Sequence, residues 1–413
     1  MYHIAVLGYG VVGSGVVEII QKNGQSIRDR VGKRIDVKKI LDIRDFPQDP
    51  NRDLFTKNAD DILNDSSIGI VVETIGGTGI AYDLTKRALS AGKSVVTSNK
   101  ELIAAHGPEL LSLAREKGAF YLFEASVGGG IPIIRPLYSC LAANEIKSVT
   151  GILNGTTNYI LTAMKKEGKS FSEALSEAQQ KGYAEANPTA DIEGHDACRK
   201  IAILSSIAFN QFVDYKDIET EGISRITLDD FYYAQILNGT IKLIGESRKI
   251  DDVLYARVSP VILDNAHPLA NVEDVFNAIM VEGDAVGDAM FYGRGAGKLP
   301  TASAVVADIM DIMKKCNCSP RQMVWSQDRK ARILNTNQMV SKFYVRIDGI
   351  KDKAALKDLI AQEFGNANCY ENPEKPEQLV FIPEMNTEYS QKQSFAKLEA
   401  AGYTISNVLR IHQ

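Results

Sequence analysis

Residues 182–200, Gly-Tyr-Ala-Glu-Ala-Asn-Pro-Thr-Ala-Asp-Ile-Glu-Gly-His-Asp-Ala-Cys-Arg-Lys, concentrate four carboxylates ahead of a terminal lysine. Glu185, Asp191 and Glu193 fall where Asn187, Pro188 and Gly194 argue against regular structure. Asp196 and Lys200 fall inside a helix that starts near Gly194, four residues apart and on one helical face. Ala197, Ile201, Leu204 and Ala208 form the apolar stripe of that helix, and Lys200 lies about 60° from it, which predicts a half-buried ammonium. Burial lowers the pKa of a lysine and a neighbouring acid raises it, so a lysine in that balance can exchange protons near neutral pH. The alternative is an ordinary exposed ion pair, worth only about 0.3–0.5 kcal/mol. The density of acids upstream favours proton-transfer chemistry.

A reacting group needs elements that position it and a co-reactant. Residues 3–7, His-Ile-Ala-Val-Leu, lead into Gly8-Tyr9-Gly10-Val11-Val12-Gly13 and then an apolar-periodic helix through Ile20. Strand, glycine turn and helix are the context of a dinucleotide fingerprint. Gly8 permits the tight turn, Gly10 lets the backbone approach a pyrophosphate, and Gly13 lets helix and strand pack closely. The helix opens at Val11 and Val12 with its N–H groups toward the phosphates. A second strand, 36–43, ends in Arg44-Asp45. An acid there would bind the ribose 2′-hydroxyl of NAD, an arginine the 2′-phosphate of NADP, and both types are present. Asp42 also keeps NAD in play.

Strands at 69–74 and 93–97 alternate with helical segments at 79–91 and 108–117, the pattern of a doubly wound parallel sheet. Ligands bind such sheets at the carboxyl ends of the strands, where Thr74, Thr97 and Lys100 fall. Taken alone, Lys100 also fits a solvated loop cation. A strand at 120–123 precedes Glu124-Ala125-Ser126-Val127-Gly128-Gly129-Gly130-Ile131, whose glycines suit either a tight crossover or a hard-cation site made of peptide oxygens. A strand at 147–153 meets Asn154-Gly155-Thr156-Thr157, read as a capped helix start. Strands at 240–249 and 253–263 join it in a mixed sheet carrying helices. Beyond Trp325, strands and helices at 341–349, 353–364, 366–371, 378–383, 390–401 and 403–411 give the βαββαβ order of a ferredoxin-like module.

The 413 residues suffice for two or three domains. With 45% hydrophobic and 24% charged residues the composition is that of an ordinary globular protein. Basic residues number 47 and acidic ones 52, so the net charge of -5 points to neither nucleic acid nor an anionic membrane as partner. No apolar run reaches membrane-span length, and the five scattered cysteines form no disulfide framework, which fits a reduced, cytoplasmic setting. Cys316 and Cys318 read as ordinary thiols.

The run 178–200 resembles the signature of homoserine dehydrogenases: Gly-Tyr-Ala-Glu, an Asn-Pro step, then Asp-Ile-x-Gly-x-Asp-x-x-x-Lys. The resemblance implies that Lys200 is the general acid/base, assisted by Asp196, and that Glu185 and Asp196 hold the amino group of homoserine. Asp191, Gly155, Thr156 and Lys100 complete the implied substrate set. The strand end resembles the family's Val-Arg-Asp, where Arg44 would meet the 2′-phosphate; this favours NADP, with NAD also usable. Thr97-Ser98-Asn99-Lys100 is similar to a stretch whose lysine lies between nicotinamide and substrate. In the family the loop after residue 124 binds a monovalent cation, usually taken as sodium, through backbone oxygens at positions matching Glu124, Val127, Gly129 and Ile131. Gly293 to Thr301 resembles the loop that returns the chain to the nucleotide domain, with Gly297 near the cofactor, as Gly182 would be.

The implied architecture is α/β: a Rossmann-like nucleotide-binding domain over 1–135 plus about 293–325, an α+β substrate-binding and dimerisation domain over 136–292, and an ACT-like domain over 340–413. The tail lacks the Pro-Gly turn that effector-binding ACT domains place after their first strand, at Asp348-Gly349-Ile350-Lys351. The small-molecule substrates would be L-homoserine and L-aspartate 4-semialdehyde, and the assembly a homodimer or homotetramer. Rival readings are a non-catalytic NAD(P)- and amino-acid-sensing regulator, and a dehydrogenase for another small amino or keto acid.

Overall fold

The computed structural model describes residues 2–251, 253–315, 325 and 330–412; Cys316 and Cys318 lie outside them. The chain divides into two compact units. One comprises Met1–Val149, Arg199–Asp217 and Asn277–Ala331, the other Thr150–Cys198, Ile218–Phe276 and Arg332–Gln413.

The first unit opens with β1 (Tyr2–Leu7), α1 (Val11–Lys22), α2 (Gly24–Val31), β2 (Ile35–Leu41), β3 (Phe55–Thr56), α3 (Asp60–Leu63) and β4 (Ile68–Glu73). It continues through α4 (Ile80–Ser90), β5 (Ser94–Thr97), α5 (Lys100–Glu116) and β6 (Tyr121–Leu122). The strands form one sheet in the order β3-β2-β1-β4-β5-β6, parallel at every pairing. This is the doubly wound order in which the chain reverses direction across the sheet between β1 and β4. Strands buried on both faces must be apolar throughout, and Ile4, Val6, Ile70, Val72 and Val96 are fully enclosed. One expectation needs correcting: α5 starts at Lys100, not at 108. Asn99 caps it, its side chain accepting from Leu102 N at 3.1 Å, and Pro108 is carried inside the helix. Proline forfeits one helical hydrogen bond, which is why its position suggested a helix start. Lys100 is thus a first-turn helix residue and not a loop cation.

The chain then forms β7 (Ile146–Ile152), α6 (Gly155–Glu167), α7 (Phe171–Gln180), α8 (Thr189–Ile192), α9 (His195–Ala208), β8 (Glu219–Thr220), α10 (Leu228–Ile236), β9 (Gly239–Ile250) and β10 (Val253–Asp264). A pair of strands that the sequence pattern did not reveal, β11 (Phe276–Gly283) and β12 (Gly287–Arg294), precedes α11 (Lys298–Lys315). The tail contributes β13 (Val340–Asp348), α12 (Lys353–Phe364), β14 (Ala367–Tyr370), β15 (Leu379–Pro383), β16 (Asn386–Thr387), α13 (Glu388–Ala400) and β17 (Thr404–Ile411). Its strands lie in the order β17-β13-β15-β14, antiparallel, over a core of Phe343, Val345, Leu356, Phe381 and Leu398. Apart from the two-residue β16, which pairs with β13, this is the βαββαβ order expected. In the second unit the sheet is mixed, because β17 runs parallel to β10 while β9 and β10 form a long antiparallel hairpin.

Two buried polar clusters fasten this unit. Asp230 of α10, fully enclosed, accepts from Arg346 Nε at 2.9 Å, Tyr344 Oη at 3.0 Å and Asn407 Nδ2 at 2.9 Å. Lys242 of β9 donates to Asn158 Oδ1 at 3.0 Å and to the Val272 carbonyl at 2.5 Å, and Asn158 Nδ2 donates to the carbonyls of Val272, Asp274 and Phe276. Neutral acceptors satisfy its donors without balancing its charge, and burial pushes Lys242 down to about 8 from 10.5. Between those two values the unfolded chain holds a proton that the folded chain has shed, so stability rises with pH across that window and the full penalty stands below it. Urea unfolding should therefore show wild type gaining about 3 kcal/mol relative to Lys242→Met from pH 8 to 10.5. Parallel stability curves would show that Lys242 keeps its proton in the fold.

Candidate active site

In the first unit Gly8 adopts φ +91, open to glycine at little cost, and a Cβ at Gly13 would stand 2.0 Å from the Gly8 carbonyl oxygen. The helix α1 must therefore pass against the glycine turn with no side chain between them. Thr74 fastens the same turn from β4, its hydroxyl donating to the Gly8 carbonyl at 2.8 Å and to that of Leu7 at 3.1 Å. Gly10, which caps α1, has no side chain to accept from the first-turn N–H groups, and a Cβ there would project into open space. Val11 is exposed and Val12 half-buried. Uncapped N–H groups at an accessible helix start fit a pyrophosphate.

Beside this turn, Asp42 accepts from the Tyr9 N–H at 2.8 Å and from Arg44 through Nε at 2.9 Å and Nη2 at 2.8 Å. The Arg44 guanidinium holds the Asp42 carboxyl well below the usual carboxylate range. The two residues that the sequence offers as alternative readers of the ribose thus form one bidentate pair, with Asp42 buried and Arg44 exposed.

At the ends of β4 and β5 the organiser is a residue the sequence reading passed over. Glu73, fully enclosed, accepts from the N–H groups of Ile75 and Gly76 at 2.7 and 3.1 Å and from the Thr97 hydroxyl at 2.6 Å. Thr97 Oγ1 in turn accepts from Asn99 N at 2.9 Å. The Thr97 hydroxyl is thus spent on shaping the loop that leads to half-buried Lys100.

The glycine loop after β6 is a close crossing. Gly130 N donates to the Arg294 carbonyl at 3.1 Å, and a Cβ at Gly129 (φ +56) would stand 2.3 Å from the Gly295 oxygen. The Glu124 carboxylate accepts from the N–H groups of Ile133, Ile134 and Arg135 at 2.7, 2.8 and 2.8 Å. Its own N–H donates to Asp308 of α11, which also takes Arg135 Nη2 at 2.5 Å. Burial, with Glu124 nearby, raises the Asp308 carboxyl above the usual range against the pull of Arg135. With the Glu124 carboxylate engaged by three N–H groups, a cation here would draw mainly on peptide oxygens. Val127, Gly129 and Ile131 are buried, which fits such donors. Gly297 has φ +120 just before α11.

In the second unit Asn154 does more than cap. Its oxygen accepts from Thr157 N at 2.9 Å, while its amide donates to Asp191 Oδ1 at 2.7 Å and Asp196 Oδ2 at 2.8 Å. Asp191 belongs to the single helical turn α8, so the stretch after Pro188 is more regular than expected. Gly155 opens α6, and Thr156 donates to the Tyr183 carbonyl at 2.6 Å. Gly182 (φ +73) ends α7: its N–H reaches the Gln179 carbonyl and that of Tyr183 the Ala178 carbonyl, a Schellman closure. Glu185 has an exposed side chain outside this hydrogen-bonded group. Asp196 and Lys200 occupy successive turns of α9. Lys200, which falls in the first unit, is buried, only 8% exposed, deeper than the half-burial the helical wheel predicts.

Two comparisons decide what this arrangement belongs to. Residues 132–310 match the family model described as homoserine dehydrogenase, and residues 8–124 that of the homoserine dehydrogenase NAD binding domain. The homoserine dehydrogenase of Neisseria gonorrhoeae is 40% identical over 375 residues, 87% of this chain and 86% of the relative. The chain belongs to the homoserine dehydrogenase family. As such it is an NAD(P)-dependent oxidoreductase. The crystal structure of a homoserine dehydrogenase from Thiobacillus denitrificans superposes with a TM-score of 0.89 at 37% identity, covering 99% of this chain and 97% of that one. A hyperthermophilic archaeal homoserine dehydrogenase in complex with NADPH gives 0.64 at 28% identity over 78% of this chain and 99% of that one.

Within this family architecture the Gly13 contact is a direct test of the nucleotide turn. Gly13→Ala should lower NADPH affinity by about tenfold or more and Tm by about 4–8 °C, because Gly8 or α1 must move to admit the methyl group. Fluorescence titration and thermal unfolding read both; wild-type affinity would show that the turn yields without cost.

Proposed function

We propose that the chain interconverts L-homoserine and L-aspartate 4-semialdehyde, with NADP as preferred cofactor and NAD also accepted, in the biosynthesis of threonine, methionine and isoleucine. The observation that carries this reading is the gathering of Asp191 of α8 and Asp196 of α9 on the Asn154 amide, with Lys200 one turn further along α9. Two carboxylates drawn to one point create a field that favours a cation, as the ammonium of an amino acid would be. Glu185, Gly155, Thr156 and Lys100 complete the substrate set, Glu185 by closing its exposed side chain over the ligand.

Gly8, Gly10, Val11, Val12, Gly13, Thr74, Thr97, Gly182 and Gly297 would shape the nucleotide site, and Arg44 would meet the 2′-phosphate. The bound nicotinamide supplies or accepts the hydride. The protein's part is to hold the amino acid by its ammonium, to exclude water, and to move one proton. In alcohol oxidation the hydroxyl proton passes to the Lys200 amine, directly or through a water, and in aldehyde reduction it returns. A monovalent cation, taken as sodium, would sit on the carbonyls of Glu124, Val127, Gly129 and Ile131 and stiffen that loop.

The domains follow the same reading: nucleotide binding over 1–135 with 293–325, substrate binding and dimerisation over 136–292, and an ACT-like module over 340–413. A cytoplasmic homodimer or homotetramer completes it. Among the described residues no helix is long and apolar enough to cross a membrane.

Reduction of NADP by L-homoserine, with L-aspartate, L-malate and L-serine as controls, tests the assignment; turnover of a control alone would overturn it. Lys200→Ala should lower kcat by about two to four orders of magnitude with NADPH affinity retained. A variant with wild-type kcat would remove Lys200 from proton transfer. Arg44→Ala should raise KM for NADP and leave that for NAD within about twofold, since only the former carries the phosphate the guanidinium pairs with. Equal losses would mean that Arg44 serves the fold through Asp42 alone.

A further inference from the structure

The last strand of the chain reaches the turn from which the lysine-bearing helix begins. Arg410 of β17 donates through Nη1 to both oxygens of Glu221, at 2.9 and 3.0 Å, and through Nε and Nη2 to Glu388 at 2.8 and 2.9 Å. Glu388, fully enclosed, is shared with Arg257 of β10, which also grips Glu219 at 2.7 Å. The result is an alternating row, Glu221, Arg410, Glu388, Arg257, Glu219. Although burial opposes it, Arg410 and Arg257 hold the Glu388 carboxyl down to about 2.

Glu221 is the lever. Its N–H donates to the Val258 carbonyl at 2.8 Å, and two residues on, Ile223 N donates to the Ile192 carbonyl at 2.8 Å. Between them Gly222 lies so close to the turn after α8 that a Cβ would stand 2.4 Å from the Ile192 oxygen and 2.6 Å from the Glu193 Cα. A Cβ at Gly194 (φ +80) would stand 3.0 Å from Thr220, 3.2 Å from Val258 and 3.3 Å from the Glu221 carbonyl oxygen, and the Gly194 carbonyl accepts the first helical hydrogen bond of α9, from Cys198 N at 2.9 Å. Backbones packed at such distances leave no slack, so a displacement at Glu221 is passed to Gly194 and to the helix it starts.

We propose that Arg410, acting through Glu221 and the Gly222 turn, is a positioning residue for Asp196 and Lys200, so that the tail contributes to turnover without touching substrate. This rests on the reading of Lys200 given above. Misplacing a reacting group by about 1 Å costs up to about a hundredfold in rate. Gly222→Ala, Glu221→Gln and Arg410→Met should each lower kcat with homoserine by about ten- to a hundredfold, counted per NADPH-binding site so that unfolded protein does not enter. NADPH affinity should stay within about twofold of wild type, because the nucleotide turn lies on other elements. Arg410→Lys, which keeps the charge but not the fork, should recover part of the loss.

A cavity of about 480 Å³ bordered by Glu193, Glu221, Gly222, Lys392 and Arg410 lets water reach the Glu221 carboxylate that Arg410→Met strips, and Glu388 keeps Arg257. Should that variant still fail to fold, Glu221→Gln decides alone. Lys397→Ala, which breaks an exposed ion pair with Glu363 within the tail, serves as control and should keep wild-type kcat. Folded Glu221→Gln and Gly222→Ala with wild-type kcat per site, beside an inactive Lys200→Ala, would overturn the relay and leave the chemistry standing. An active Lys200→Ala would instead overturn the chemistry on which the relay rests.

Discussion

One amide group draws two like charges together. Asn154 Nδ2 donates at 2.7 Å to Asp191 and at 2.8 Å to Asp196, while the oxygen of the same side chain caps α6. Two carboxylates repel, and the amide offsets part of that repulsion by donating to both. The cap fixes the rotamer: Asn154 cannot turn away from the acids without uncapping α6. The start of α6, the acid of α8 and the acid of α9 are thereby joined through one residue that is itself 5% exposed. That link between a stabilising cap and an electrostatic site explains why Asn-Gly-Thr-Thr reads as capping and as chemistry at once.

The sequence was most legible where the physics is local. Apolar runs buried on both faces located β1, β4 and β5, and the βαββαβ tail emerged with nearly all its boundaries, because each element repeats its own period. The glycine turn at 8–13 was legible for the same reason. Partnerships across long separations were not. Glu73 looks like the polar end of an apolar strand, and nothing within its neighbours announces that it gathers the loop at 75–76 and Thr97. Asp308 sits in an apolar helix as if misplaced until Arg135 and the Glu124 N–H arrive from more than 170 residues away. The β11–β12 pair was missed because the outward alternation of β12 shows little burial to read. Arg44 was seen as a cofactor reader and Asp42 as its rival, whereas the fold makes them one unit.

Buried ion pairs seldom add much net stability, since desolvation offsets the attraction. The row from Glu221 to Glu219 is better understood as a device for register. Arg257 and Arg410 each use a planar fork, and a fork on two carboxylates fixes direction as well as distance. A parallel contact of only two residue pairs between β10 and β17 would be a weak seam by itself. The charges beside it penalise any slip, because a shift of one residue would strand an arginine in the interior. The Asp230 cluster does the same between α10 and β13. These charge networks fix the register in which the tail joins the second unit.

The same reasoning bears on Arg44. A guanidinium carries five N–H donors in a fixed plane, of which Asp42 takes the Nε and one Nη2. Asp42 is held in turn by the Tyr9 N–H, inside the glycine turn, so the plane of Arg44 is set by the nucleotide loop itself. On the proposed reading, a 2′-phosphate would be met by the outward edge of a group already aimed, without first paying to order a flexible side chain. On the cofactor reading proposed above, a 2′-hydroxyl would meet the same surface with the Asp42 charge already paired, which removes a repulsive element against the phosphate.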